Sequence, residues 1–337
     1  MALLTVNSNG IYCERADVYL DPWRPVKRAL ISHGHADHAR WGHEQYLCTH
    51  SAKPVIEYRL PDAKVESISY GEPIHIRGVT FSFHPAGHVL GSAQIRAEYR
   101  GEVWVFTGDF KTQNDPIAED FVPVECQHLI MECTFGLPVF RWPDEAFLRK
   151  QINGWWASCQ EQGVLPVIGS YSLGKAQRVI QMLDPDRGPI LTHGAVENTN
   201  EVMRKQGVDL HPTIRVEGRQ LDEEYRNGIV ICPPSAMRSA WMKKFRPYKT
   251  AMASGWMASR GNRRRRNVDR GFIISDHADW QGLLTAVRKS GAEEVLTTHG
   301  YSHVFARYLR EEVGVKSREL QTEYGAEEGE GEEESKG

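Results

Sequence analysis

The stretch ISHGHADHAR, residues 31–40, sets His33, His35, Asp37 and His38 within six positions. The chain has 14 histidines in 337 residues. Three imidazoles and a carboxylate on one short loop therefore point to a metal site rather than to a polar turn. Such a site needs partners elsewhere. Histidine nitrogen and carboxylate oxygen hold zinc-like ions at about 2.0–2.2 Å. Two ions about 3.5–4 Å apart need roughly eight protein contacts, and a carboxylate can bridge them. Further ligands are expected at strand ends followed by glycine-rich turns. Four places match: His88 in PAGHVLGS, Asp109 in FTGDF, His277 in SDHAD and His299 in TTHG.

Around these residues the first 135 positions read as short strands with turns. VYLDP (18–22) ends a strand at Asp21, and VKRALISH (26–33) is a strand running into the histidine loop. GVTFSFHPAGH (78–88) alternates and then breaks, and residues 91–110 read as a hairpin turning at Gly101. HLIMECTFG (128–136) is an apolar strand entering a polar turn. From about residue 144 strands alternate with helices, including a helix at SAMRSAWMKKF (235–245), which predicts a parallel or mixed α/β layer. After residue 270 strand, helix, strand and helix follow. With no repeat and no inner linker, an insertion within a first domain fits better than two domains in series.

Composition limits the alternatives. Hydrophobic residues are 40% and charged residues 25%, as in ordinary globular proteins. No segment approaches the roughly 18–20 apolar residues of a membrane span, and the first residues lack a signal-peptide layout. Cys13, Cys48, Cys126, Cys133, Cys159 and Cys232 form no CxxC pair, so we expect a reducing, cytoplasmic protein without disulfides or a zinc ribbon. The net charge is −3. Residues 326–337 carry six Glu and one Lys, leaving the other 325 residues at +2. That acidic tail is expected to be disordered and solubilising. RGNRRRRNVDR (260–270) places six Arg in eleven positions.

The ordered set HxHxDH (33–38), His88 and Asp109 resembles the metallo-β-lactamase superfamily. MECTFG with Glu132, SDHADW with His277 and THG with His299 resemble motifs A, B and C of its β-CASP nucleases. The resemblance implies an α/β fold: a metallo-β-lactamase αββα sandwich with an inserted α/β β-CASP domain. The boundaries would be 1–145 and 271–325 for the sandwich, 146–270 for the insert and 326–337 for the tail. It implies two divalent ions, zinc or alternatively manganese. His33, His35, His88 and Asp109 would hold one. Asp37, His38, bridging Asp109 and His299 would hold the other. A hydroxide between the ions would be the nucleophile. Asp37, Glu132 and His277 would be catalytic, with His277, oriented by Glu132, protonating the leaving oxygen. Asp21 would orient the histidine loop from behind. The remaining histidines, His193 and His303 among them, have no motif context and are expected to be structural or on the surface. Asp279 is expected to be a turn residue.

Substrate is read from weaker signals. SYSLGKAQ (170–177) resembles the strand–turn–helix of β-CASP domains. Ser172, Gly174 and Lys175 could bind phosphate at the start of a helix, or Ser172 could simply cap it. Arg263, Arg264, Arg265 and Arg266 could hold a phosphodiester backbone. SGWMASR (254–260) resembles the Artemis-like DNA-repair branch, whereas a histidine at motif C is typical of the RNA-processing branch. The mixture resembles bacterial exonucleases encoded beside an ATP-dependent DNA ligase and a helicase. We therefore expect a DNA exonuclease of repair, acting on single-stranded or end-bearing DNA, without a membrane. The alternatives are an RNA 3′-end-processing nuclease, a small-molecule metallo-hydrolase, or a binding scaffold without activity.

Overall fold

Val79, Phe81 and Phe83 are fully buried along one short segment, and their spacing of two is that of a strand with one face in a core. In the computed structural model this segment belongs to the first of two compact units. One is residues 2–140 together with residues 277–323, and the other is Arg141–Asp276. The structure describes residues 2–218, 221–259, 261, 264 and 267–323.

In the first unit, β1 (Thr5–Asn7), β2 (Gly10–Cys13), β3 (Val18–Leu20), β4 (Arg28–Leu30), β5 (Gln45–Thr49) and β6 (Val65–Ile68) form a sheet in that order. Pairing is parallel from β3 to β6. A second sheet starts with β7 (Ile74–Ile76), β8 (Val79–Pro85), β9 (Ala93–Tyr99), β10 (Glu102–Phe106) and β11 (His128–Glu132). The second unit holds β12 (Leu165–Gly169), β13 (Ile190–Thr192), β14 (Ile214–Arg215), β15 (Ile229–Cys232), β16 (Tyr248–Ala253) and β17 (Arg270–Phe272). They form one wholly parallel sheet, ordered β14-β13-β15-β12-β16-β17. The chain then returns to the second sheet with β18 (Glu294–Thr298) and β19 (Lys316–Glu319). β18 pairs in parallel with β11, placing Thr298 opposite Glu132. That register brings residues 132 and 299, far apart in sequence, to adjacent strand ends.

Burial of apolar side chains sets the layers. Leu20 and Leu30 from the first sheet share one core with Phe81, Phe83, Ile95 and Phe106 from the second. α1 (Lys53–Arg59) packs Ile56 against the first sheet's other side, with Ala29, Tyr46 and Cys48. In the second unit α2 (Glu145–Glu161), α3 (Lys175–Met182) and α4 (Gly194–Lys205) bury Ile152, Trp156, Val179 and Val196 with Ile168, Ile229 and Ile231. Back in the first unit, α5 (Trp280–Ser290) and α6 (Ser302–Tyr308) pack Leu283, Val287 and Phe305 with Val105, Leu129 and Val295 of the second sheet. Each such side chain contributes about 1.5–3 kcal/mol on burial.

Two expectations need correction. Residues 235–245 are not one helix but two 3-10 segments, Ala236–Arg238 and Ala240–Phe245. Ser239 between them is extended, and its hydroxyl accepts the Trp241 amide and starts a new turn. Asp279 does more than turn the chain: its carboxylate caps α5 through the Gly282 amide at 2.9 Å. No described helix is long and apolar enough to cross a membrane. All six cysteines are free and buried. The acidic tail lies outside the described residues.

Candidate metal centre

The ligands arrive on the loops that follow strand ends in the first unit. β4 leads into 31–38, β8 into 86–92, β10 into 107–111 and β18 into 299–300. Two glycines make the close approach feasible. Gly87, at φ +76°, has no room for a Cβ against the Lys111 carbonyl, and Gly108, at φ +54°, has none against Ser32. Two residues without glycine's freedom also sit in the left-handed region, Asp21 at φ +41° and His299 at φ +58°. Such backbone costs about 1–3 kcal/mol per residue and collects at functional sites.

His33, His35, His88 and Asp109 converge with their ligand atoms within 4.8 Å of one another. His35 Nδ1 lies 3.0 Å from both His33 Nε2 and His88 Nε2. Asp109 Oδ2 lies 3.7 Å from His33 Nε2 and from His88 Nε2. A tetrahedral ion with bonds of about 2.0–2.1 Å spaces its ligand atoms about 3.3 Å apart, so this set fits one ion. A second set joins His38, Asp109 and His299. There His38 Nε2 lies 3.4 Å from the same Asp109 oxygen and 3.2 Å from Asp37 Oδ2. The rings of His38 and His299 stand parallel, with centroids 5.9 Å apart. The other Asp109 oxygen, Oδ1, is buried with no hydrogen-bond partner among the described residues. Such an atom is costly unless a cation or water satisfies it, and the residues present fit divalent ions in both sets.

Protonation agrees with that fit. Burial pushes the His33 pKa well below its ordinary value, and the surrounding imidazoles of His38, His88 and His35 push it further. Burial also lowers that of His299. For Asp109, burial opposes ionisation, but His38 and His277 facing it outweigh burial and hold the carboxyl well below its ordinary range. Asp37 is held down in the same way by His38. Neutral imidazole and ionised carboxylate are the forms that bind metal.

Behind the ligands, the buried Asp21 carboxylate accepts three bonds: Ser32 N at 2.7 Å, Ser32 Oγ at 2.5 Å and His38 Nδ1 at 2.7 Å. Ser32 Oγ, having donated its proton to Asp21, accepts from His33 Nδ1 at 2.9 Å. One carboxylate thus leaves Nε2 bare on both His33 and His38. Thr298 Oγ1 likewise stands 2.6 Å from His299 Nδ1. Neither Ser32 nor Thr298 was marked by the sequence, in which a hydroxyl beside a histidine has no distinguishing pattern.

His277 sits beside the ligands. Its Nδ1 donates to Glu132 Oε1 at 3.0 Å, and its Nε2 lies 4.0 Å from Asp109 Oδ2. Glu132 is 1% exposed and is fixed by the Thr134 amide at 2.8 Å.

The other named residues lie in the second unit. Gly174, not Ser172, caps α3: its φ of +85° suits glycine, and its amide donates to Gln177 Oε1 at 2.8 Å. The Ser172 carbonyl accepts from Gln177 Nε2. Lys175 is 2% exposed, with Nζ 3.7 Å from Asp276 Oδ2 and 4.6 Å from the centre of the Tyr171 ring. Arg264 is exposed, and Arg263, Arg265 and Arg266 lie outside the described residues.

No family model matches the chain. It is 33% identical over 311 residues to a probable DNA ligase of Opitutus terrae, a match covering 90% of this chain and 30% of that one. It is 26% identical over 188 residues to an RNase J-like protein of Methanocaldococcus jannaschii, covering 48% and 44%. It is 31% identical over 123 residues to cleavage and polyadenylation specificity factor 73 of Drosophila melanogaster, covering 36% and 18%. The chain thus spans less than half the length of these relatives. Among solved structures, a protein of unknown function from Enterococcus faecalis V583 superposes with a TM-score of 0.54 at 11% identity, covering 88% of this chain and 79% of that one. That likeness concerns the fold alone.

Proposed function

The chain belongs to the β-CASP nuclease family of the metallo-β-lactamase superfamily, and from that premise we propose that it is a metal-dependent phosphodiesterase, a DNA exonuclease of repair. The observation that carries the proposal is Asp109, whose one oxygen faces both ligand sets and His277. The layered first unit supports reading it as the αββα sandwich, and Arg141–Asp276 as the inserted β-CASP domain.

The first site would use His33, His35, His88 and Asp109, and the second Asp37, His38, Asp109 and His299. Divalent ions there, zinc or manganese, would supply Lewis acidity towards a phosphodiester and an activated water. The chain's own part is orientation and proton traffic. Asp21 and Ser32 keep two ligand nitrogens bare. Glu132 holds the Nδ1–H of His277, which turns Nε2 towards the reacting side and stabilises the imidazolium. His277 then delivers its Nε2 proton to the departing sugar oxygen.

The DNA assignment is supported by the ligase-named relative, which matches across 90% of the chain. It also supports functional association with a ligase; a helicase follows only from the sequence resemblance. RNA processing is the second reading, favoured by His299 and by relatives named for ribonuclease and polyadenylation functions. The test uses single-stranded DNA and RNA of one sequence, each labelled at either end. We expect DNA to be shortened progressively to mononucleotides. RNA cleavage with intact DNA would reverse the assignment.

A further inference from the structure

The carboxyl edge of the parallel sheet in the second unit carries a cluster that the reaction above does not use. We propose that His193, Arg215, Lys244 and Trp241 bind one phosphate and one base of a single-stranded nucleic acid. The proposal rests on the nuclease reading and adds a substrate subsite to it.

His193 ends β13 and caps α4. The Ala195 amide donates to its Nδ1 at 3.1 Å, so the neutral ring carries its proton on Nε2 and is a donor there. Burial lowers its pKa, and the only charges found to shift it are two cations, Lys244 and Arg215. Its ring meets the Trp241 indole edge to face, with centroids 4.9 Å apart and an interplanar angle of 78°. Lys244 Nζ lies 5.5 Å from the centre of the same indole and donates to the Gly218 carbonyl at 2.5 Å. Among the described residues no carboxylate stands within salt-bridge distance of Lys244. Arg215, on edge strand β14, bonds the Asn198 side chain and stands 3.4 Å from Glu201, the acid at the patch. The result is three donors, a guanidinium and an amine among them, around a partly exposed indole. One carboxylate does not neutralise them.

Charge complementarity selects the occupant. A phosphodiester takes donors from several directions, and its neighbouring base can lie on the indole. The place is also where open parallel sheets bind ligands, outside the carboxyl ends of their strands. β13 is two strand positions from β12, or about 10 Å at ~4.8 Å per strand. The cluster therefore shares its edge with the Ser170–Lys175 turn, within the reach of one or two nucleotides.

The test measures binding of a fluorescein-labelled twelve-nucleotide oligothymidylate by anisotropy, from 50 to 200 mM salt. The Arg215→Gln, Lys244→Gln double variant should lose about 0.7 from the log–log salt slope, the contribution of the one phosphate they hold. Trp241→Ala should weaken binding about tenfold, within the ~1–3 kcal/mol of one stacked base. Trp241→Phe should restore most of it. On a strand of the same length without bases, Trp241→Ala should make no difference. Hydrolysis of bis(4-nitrophenyl) phosphate should stay at wild-type rate in every variant. An unchanged salt slope in the double variant, or equal loss for Trp241→Ala with and without bases, overturns the proposal. Wild-type protein that hydrolyses neither the small ester nor any strand fails the nuclease reading instead.

Discussion

Replacing Asp21 by Asn changes no ligand atom, yet it should weaken both metal sites. In the wild type Asp21 accepts from Ser32 N, Ser32 Oγ and His38 Nδ1. An amide has one acceptor oxygen. If that oxygen keeps the Ser32 amide, the NH2 group faces His38 Nδ1 and Ser32 Oγ. His38 must then accept at Nδ1 and carry its proton on Nε2, the atom 3.4 Å from Asp109 Oδ2. Ser32 Oγ, now an acceptor from the amide, turns its proton towards His33 Nδ1 and moves the His33 proton to Nε2 as well. If the amide flips, two buried donors oppose each other at the Ser32 amide, at about 1–3 kcal/mol. Loss of such a partner costs about 10–100-fold in metal affinity, or roughly 1.4–2.7 kcal/mol per site at 1.36 kcal/mol per decade. Competition with a chromophoric chelator measures both steps. Asp21→Asn should show both dissociation constants raised while the circular dichroism stays native. Wild-type affinity at both steps would refute the tautomer argument, and loss at one step alone would break the Ser32 link between the sites.

Three further outcomes follow from the same geometry. Asp109→Ala should bind less than one ion per chain by elemental analysis, because it removes an oxygen facing both sets. His277→Ala should keep its metal and lose about 10²–10⁴-fold in rate on a sugar leaving group, with a much smaller loss on a nitrophenyl ester that leaves unprotonated; equal losses would exclude proton donation. Burial sets the His43 pKa at about 4 against an ordinary 6.5, Asp21 opposing and Arg40 assisting. The unfolded chain then binds the extra proton between those values, so stability is full above pH 6.5 and falls by up to about 3 kcal/mol as pH drops towards 4. Urea unfolding of wild type and His43→Gln at pH 7 and pH 5 should show the smaller acid loss in the variant.

Much of the candidate metal centre is legible because its residues follow apolar strands and precede glycine turns, a local pattern. What aligns them is not local. Asp21 touches residue 38, and Glu132 lies opposite Thr298 only through strand pairing. Lys175 shows the limit most clearly. As sequence it reads either as a phosphate ligand at a helix start or as an ordinary first-turn residue. In the fold it is buried against Tyr171 and Asp276, 101 positions away, a proximity no spacing reveals. Among the elements, β19 has no strand signal in the sequence, where the last pattern is the helix ending near Gly314. KSRE is charged because it is an edge strand with one buried side chain, Ser317, and edges favour charge. The 3-10 break at Ser239 was missed because a serine inside an apolar–basic stretch is compatible with helix until its hydroxyl finds the Trp241 amide.

The central claim is that phosphodiester cleavage depends on two ions sharing Asp109. The direct measurement is bis(4-nitrophenyl) phosphate hydrolysis by metal-depleted protein as zinc or manganese is added back, with bound metal counted on the same samples. The rate should rise steeply as occupancy passes from one to two ions per chain, and Asp109→Ala should stay at background throughout. Full activity with only trace metal bound, or with Asp109 removed, would contradict it.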